Sequence, residues 1–470
     1  MVNQLQSVLH LMKNIGSHCP CHSPALPTHS LKDLHRRSSQ STKTYEYAFE
    51  MATSSIRYGS GVTKEVGMDL QNMKAKKVAV FTDKNISKLL PFTTVIDSLS
   101  KANVNFVVFD QVRVEPTDSS LLDAIAFARF EQVDTFVAVG GGSVIDTAKA
   151  ANLYLCHPEN QFLDFVNSPI GKGLPINKKL KPLIAIPTTA GTGSETTGVS
   201  IFDYEARNYK TGIANRALKP TLGLIDPLNT KSMPPTVHVS SGLDVLCHSL
   251  ESYTAIPYNL RSPRPTNPLD RPAYQGSNPI SDVWSLKALE MCVKNLESAY
   301  KNPENPYPQE QMILAATFAG VGFGNAGVHL CHGMSYPISG LNKSYLHKGY
   351  EGVAKKLVPH GISVAVTAPA VFKFTAQACP ERHLQCAKIF GVDISQKKKE
   401  DAGIILSDAI KNFLYKLDVP NGIKAFGFGA QDVEKLVEGT LPQHRVTKLS
   451  PEVIDKEKLA RLFEDSITIY

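Results

Sequence analysis

The sequence predicts an α/β N-terminal domain built on a parallel sheet, followed by an all-α domain. Three observations predict it. Short Val- and Phe-rich runs alternate with amphipathic stretches in the first half, two loops of glycine and hydroxyl residues directly follow such runs, and from Ser232 onward long helical patterns take over. At 470 residues the chain exceeds a single core, and the expected divisions are a leader at 1–44, the α/β domain at 45–232 and the helical domain at 233–470. The last boundary falls at MPP (233–235), where two prolines forbid a continuous helix.

The leader holds Lys13, Lys32, Arg36, Arg37 and Lys43 against Asp33 alone, which is +4 of the formal net charge of +7. It is rich in Ser and Thr, and Leu5, Val8, Leu9, Met12 and Ile15 are spaced for one amphipathic helix. That composition reads as a mitochondrial transit peptide, with a disordered tail as the alternative. The rest of the chain carries too little dispersed positive charge to argue for nucleic acid. Eight cysteines without a CxxC pair fit a reducing compartment and no zinc knuckle.

KKVAVFTD (76–83), NVNFVVFD (103–110), VDTFVAVGGGS (133–143), PLIAIPTT (182–189) and TLGLIDP (221–227) read as five successive strands. GGGSVIDTAK (140–149) sets Gly140, Gly141, Gly142 and Ser143 between a strand end and a helix start. There the backbone can approach a phosphate, and the helix offers free N–H groups and its positive end. Ser143 and Asp146 also match a capping box, and Ile145 stands where a Rossmann fingerprint has its third glycine. PTTAGTGSE (187–195) is a second small-residue loop after a strand, so Thr188 and Thr189 would face the same cleft. Asp83, ending the first of the five strands, is placed to accept from ribose hydroxyls. Together these predict a dinucleotide site.

In the helical half, SGLDVLCHSLESYT (241–254) puts Asp244, His248 and Glu251 on one helix face among apolar neighbours, where a carboxylate and an imidazole need a partner. A divalent metal would supply one. The chain is uncharged between Gln311 and Lys343, yet its glycines, Asn325, His329 and His332 favour a buried helix over a membrane span. His332 and His360, each followed by glycine, are the natural further ligands. One Asp and three His suit Fe(II) or Zn(II) and leave room for a substrate oxygen. Residues 256–281 contain six prolines and three arginines, a long irregular segment of the kind that often serves function.

GGGSVIDTAK, PTTAGTGSE, Asp244 with His248, HGMSYP and PHG jointly resemble the iron-containing (group III) alcohol dehydrogenase family over nearly the whole chain after residue 50. The resemblance implies the dehydroquinate synthase-like architecture of that family, with NAD, tightly bound, and a metal held by Asp244, His248, His332 and His360 as the catalytic set. The family pattern HxMxH aligns its first histidine with His332 and leaves Tyr336 where a second, non-ligand histidine often sits. His329 falls outside the pattern, as a structural or supporting residue. Within the family, RPAYQGSNPISDVW and the basic leader resemble members that move hydride between a hydroxyacid and an oxoacid. This implies oxidation of 4-hydroxybutyrate to succinate semialdehyde coupled to reduction of 2-oxoglutarate to 2-hydroxyglutarate. Both substrates are carboxylates, so a cation should face the cleft, and Arg271, with Arg264 and Lys210 behind it, is the expectation. Small-molecule substrates, no membrane span and a homo-oligomer complete the picture. The alternatives are a dehydrogenase that releases NADH, a catalytically silent binding protein, and a dehydroquinate-synthase-like lyase.

Overall fold

The computed structural model describes residues 44–470, except 208, 351–352 and 354–355. The transit peptide expected at 1–44 lies outside the described residues but for its last position. Five of the strands fall where the sequence predicts them: β2 (Val78–Phe81), β3 (Phe106–Phe109), β4 (Thr135–Gly140), β5 (Leu183–Pro187) and β8 (Leu222–Ile225). Three more were not expected. β1 (Ser55–Tyr58) is a largely exposed edge strand, and β6 (Val199–Tyr204) with β7 (Tyr209–Ala214) forms an antiparallel hairpin between β5 and β8. The run at 76–83 is therefore the second strand, and GGGSVIDTAK follows the fourth.

Six strands make one parallel sheet in the order β1-β8-β5-β4-β2-β3. Its central strands are continuous apolar runs because both faces are covered. Val78, Val80, Val137 and Val139 pack on one side, and Ala79, Phe81, Phe136 and Ala138 on the other. The helices of this half are α1 (Val66–Asn72), α2 (Leu90–Lys101), α3 (Asp118–Glu131), α4 (Gly142–Cys156) and the single turn α5 (Phe162–Phe165). From β2 the chain moves outward to β3, then crosses back over β2 to β4 and continues the other way. The crevice beyond the ends of β2 and β4 is thus the switch point where open α/β sheets bind ligands.

Past Pro234 every regular element is helical. They are α6 (Pro235–Thr254), α7 (Pro279–Lys301), α8 (Pro306–Ala326), α9 (Leu330–Gly340), α10 (His360–Ala365), α11 (Ala368–Thr375), α12 (Pro380–Ile389), α13 (Ala402–Lys416), α14 (Val433–Thr440), α15 (His444–Thr447) and α16 (Lys456–Glu464), with short 3-10 turns between some of them. α6, α7 and α8 each open with proline in the first turn, where its missing N–H costs nothing. The uncharged run forms α8 and α9, which meet at a bend of 103°, and among the described residues no single helix is long and apolar enough to cross a membrane. Nearly every residue of these two helices from Ala315 on is buried, which is why the run needs no charge.

Candidate active site

At the switch point, Asp83, Gly141, Gly142, Ser143, Thr188 and Thr189 line one crevice of about 430 Å³. Gly141 caps α4 without a side-chain hydrogen bond, and the N–H groups of Gly142 and Ser143 belong to the first turn, where an α-helix has no partner of its own for them and its N-terminus favours an anion. A Cβ on Gly142 would stand 2.6 Å from Thr192 Cγ2, so the close approach of the two loops requires glycine there. Thr188 is buried and its hydroxyl has no partner. Asp83 Oδ1 accepts from the N–H groups of Asn85 (2.8 Å) and Ile86 (2.9 Å), which fixes the carboxylate at the rim.

Two expectations in this region are corrected. The Ser143–Asp146 capping box does not form: Ser143 Oγ accepts from Glu115 N at 3.1 Å. Asp146 is pinned instead, its Oδ1 accepting from Ser194 Oγ at 2.5 Å and its Oδ2 from Ile201 N at 2.9 Å. Lys149, fully buried three residues on, donates to Ser194 Oγ (2.7 Å) and to the Val199 carbonyl (2.9 Å). Asp146 and Lys149 thus tie the first glycine loop to the second loop and to β6. Gly140 does not line this crevice and packs under Val144.

A second cavity, about 140 Å³, adjoins the first and shares Gly142, Ser143, Asp244 and His360 with it. Into it converge Asp244 and His248 from α6, His332 from α9 and His360 from α10. Asp244 Oδ1 lies 3.4 Å from His248 Nε2, 3.4 Å from His332 Nε2 and 3.7 Å from His360 Nε2. The donor atoms of Asp244, His248 and His332 fall within 4.8 Å of one another, while His360 stands on the open side with its side chain 31% exposed. Among the described residues, Asp244 Oδ1 and His332 Nε2 are buried without hydrogen-bond partners. Unsatisfied, strongly polar atoms facing one point fit a cation held between them.

The surroundings prepare these donors. Burial pushes the His248 imidazole down to about 3 and that of His360 down to about 4. Burial would push the Asp244 carboxyl up, but the neighbouring histidines, His248 foremost, hold it well below the usual range. Glu251, one turn beyond His248, accepts His332 Nδ1 and the N–H groups of His329 (3.0 Å), Cys331 (2.8 Å) and His332 (3.3 Å). It fixes the His332 ring with Nε2 turned to the cluster. His329 itself faces away, its Nε2 3.0 Å from Thr254 Oγ1. A Cβ on Gly361 would stand 1.8 Å from the Ser240 carbonyl, so glycine after His360 lets α10 press against α6.

The arginines expected to meet substrate are corrected. Arg271 and Arg264 line neither cavity. Arg271 is bound to Glu46 (Nε to Oε2 3.0 Å), and Arg264 lies over the Tyr47 ring at 4.7 Å. The proline-rich segment is fastened to residues 46–50, with Gln275 exchanging hydrogen bonds with Glu50. Lys210 does line the small cavity but is neutralised by Glu115 (2.8 Å) and Asp203 (2.9 Å). The cation that sequence reasoning missed is Arg445, on the four-residue α15, whose Nη2 donates to Tyr336 Oη at 2.5 Å inside the cavity. No periodicity or motif marks HRVT.

A parallel sheet with its switch-point crevice opening on an Asp-and-His cluster agrees with the family comparisons. Residues 53–227 match the model of the iron-containing alcohol dehydrogenases and residues 273–467 that of the C-terminal region of the Fe-containing alcohol dehydrogenase family. The chain belongs to the iron-containing alcohol dehydrogenase family, and is an oxidoreductase. It is 59% identical over 466 residues to the hydroxyacid-oxoacid transhydrogenase, mitochondrial, of Rattus norvegicus, covering 98% of each chain. Among solved structures, a 1,3-propanediol oxidoreductase shares the fold with a TM-score of 0.77 at 24% identity, covering 89% of this chain and 100% of its own. The sulfoacetaldehyde reductase of Bifidobacterium kashiwanohense, solved in complex with NAD+, does so with a TM-score of 0.71 at 23% identity, covering 90% of this chain and 99% of its own.

Proposed function

We propose that the chain is a mitochondrial hydroxyacid-oxoacid transhydrogenase: it oxidises 4-hydroxybutyrate to succinate semialdehyde and reduces 2-oxoglutarate to 2-hydroxyglutarate. The observation that carries the reading is the wall common to the two cavities, where Gly142 and Ser143 of the nucleotide loop stand beside Asp244 and His360. The 59% identity to a transhydrogenase over nearly the full length supports the substrate class.

The cofactors are NAD and a divalent metal, Fe(II) or Zn(II), with residues 45–232 holding the first and 233–470 the second. Bound NAD supplies a hydride acceptor and donor, and the bound ion a Lewis acid for the substrate oxygen. Asp244, His248, His332 and His360 would hold the ion, with Glu251 orienting His332. Gly141, Gly142 and Ser143 would present their N–H groups to the pyrophosphate, Thr188 and Thr189 would flank it, and Asp83 would accept from ribose hydroxyls. Phe323, stacked on His248 at 3.8 Å, backs that ligand and keeps water from that side of the cavity.

The test uses protein purified without added nucleotide and supplied with both acids. Succinate semialdehyde and 2-hydroxyglutarate should appear in equal amounts by mass spectrometry. Products formed only when free NAD is added, with NADH released, would replace the transhydrogenase by an ordinary dehydrogenase of the same family.

A further inference from the structure

Resting on the proposed reaction, we infer that Arg445, seated on Tyr336, is the single carboxylate anchor for both acids and sets the chain length that the enzyme accepts. Two lysine or arginine side chains line the small cavity, and Lys210 is already neutralised by Glu115 and Asp203. Arg445 meets no carboxylate among the described residues. Its contacts are the Tyr336 hydroxyl at 2.5 Å and the face of the Tyr274 ring at 5.1 Å. A half-buried guanidinium without a counter-charge gains when an anion arrives to pair with it. A planar fork of donors is also suited to a carboxylate.

The position of this cation follows from the helix. Tyr336 is four residues after His332 on α9, so its ring stands on the face that carries the ligand, one turn along. Tyr336 is itself buried, 2% exposed, and holds the guanidinium at the cavity wall. The chemistry of the two substrates then matches a single anchor. In 4-hydroxybutyrate the carbon that loses hydride is three bonds from the carboxylate carbon, and in 2-oxoglutarate the carbon that gains hydride is three bonds from the distal carboxylate carbon. One guanidinium at a fixed reach from the Asp-and-His cluster serves both half-reactions. The second carboxylate of 2-oxoglutarate, adjacent to its ketone, lies at the cluster end and needs no cation at this wall.

The experiment measures kcat and KM for both acids in Arg445→Gln and Arg445→Lys. Truncating one partner of a half-buried charge pair should raise both KM values by roughly 30-fold while kcat falls less, and lysine should restore part of the loss. An unchanged KM for either acid, or a loss confined to kcat, overturns the anchor. Should Arg445→Gln be too slow to assay, succinate, which carries the same carboxylate, should raise the thermal midpoint of the wild-type protein and not of the variant. An equal rise in both overturns the proposal. Wild-type protein that forms neither product defeats the transhydrogenase reading itself, whereas wild-type turnover with unchanged KM in the variant defeats only Arg445.

Discussion

Glu251 lines neither of the two cavities, yet four donors from the start of α9 end on it, and the orientation of His332 depends on it. Glu251→Gln should keep the shape, lose the charge and the acceptor for His332 Nδ1, and weaken metal retention about 10- to 100-fold, read by metal analysis after dialysis against a chelator. A different residue governs a pH effect. Burial pushes the Lys219 ammonium down to about 7, and among the described residues its acceptors are the Ala52 carbonyl and Asn325 Oδ1. Between that value and the ordinary lysine range the unfolded chain binds the proton that the folded chain has lost, so this group's contribution to stability rises with pH across that window. The thermal midpoint of the wild type should gain on Lys219→Met's from pH 7 toward pH 10, and parallel midpoints would refute it. Sequence reasoning reached Asp244, His248, His332 and His360 because polar groups in apolar runs are conspicuous. It went astray at Arg271, whose partner Glu46 is far off in the chain, and it passed over Arg445, whose meaning lies wholly in the cavity around it.

At the scale of elements, three helices bring the Asp-and-His cluster together, and α10 can approach α6 only through a glycine. Gly361 packs its backbone on Ser240, and Gly361→Ala should push α10 outward, costing about 1 to 3 kcal/mol or more in urea unfolding and lowering metal content along with it. Among the loops, Asp146 joins α4 to Ser194 and to β6, so Asp146→Ala should loosen both glycine loops and raise the requirement for added NAD, measured as nucleotide retained through gel filtration. The central strands were legible because burial on both faces writes unbroken Val and Ile runs. β1 was not, since SIRY at an exposed edge has no such run, and the β6–β7 hairpin was hidden by the expectation of strand–helix alternation. The proline-rich segment looked functional from its charges, and in the fold Arg271 is bound to Glu46 and Arg264 lies over Tyr47.

For the whole molecule, the sheet with its switch-point crevice and the helical half with its cluster are useful only side by side, because hydride moves over atomic distances. If nucleotide stays in the crevice throughout the cycle, initial-rate plots with both acids varied should give parallel lines, and intersecting lines would show that both acids are bound together. The small cavity of about 140 Å³ has a wider consequence. One chamber with one anchor receives the two acids in turn, so each is a dead-end occupant whenever it enters during its counterpart's half of the cycle. Turnover should therefore peak at matched concentrations and decline when either acid is in large excess. Such a catalyst acts as an equaliser of two redox couples, following their ratio and indifferent to the cell's free pool of reducing nucleotide.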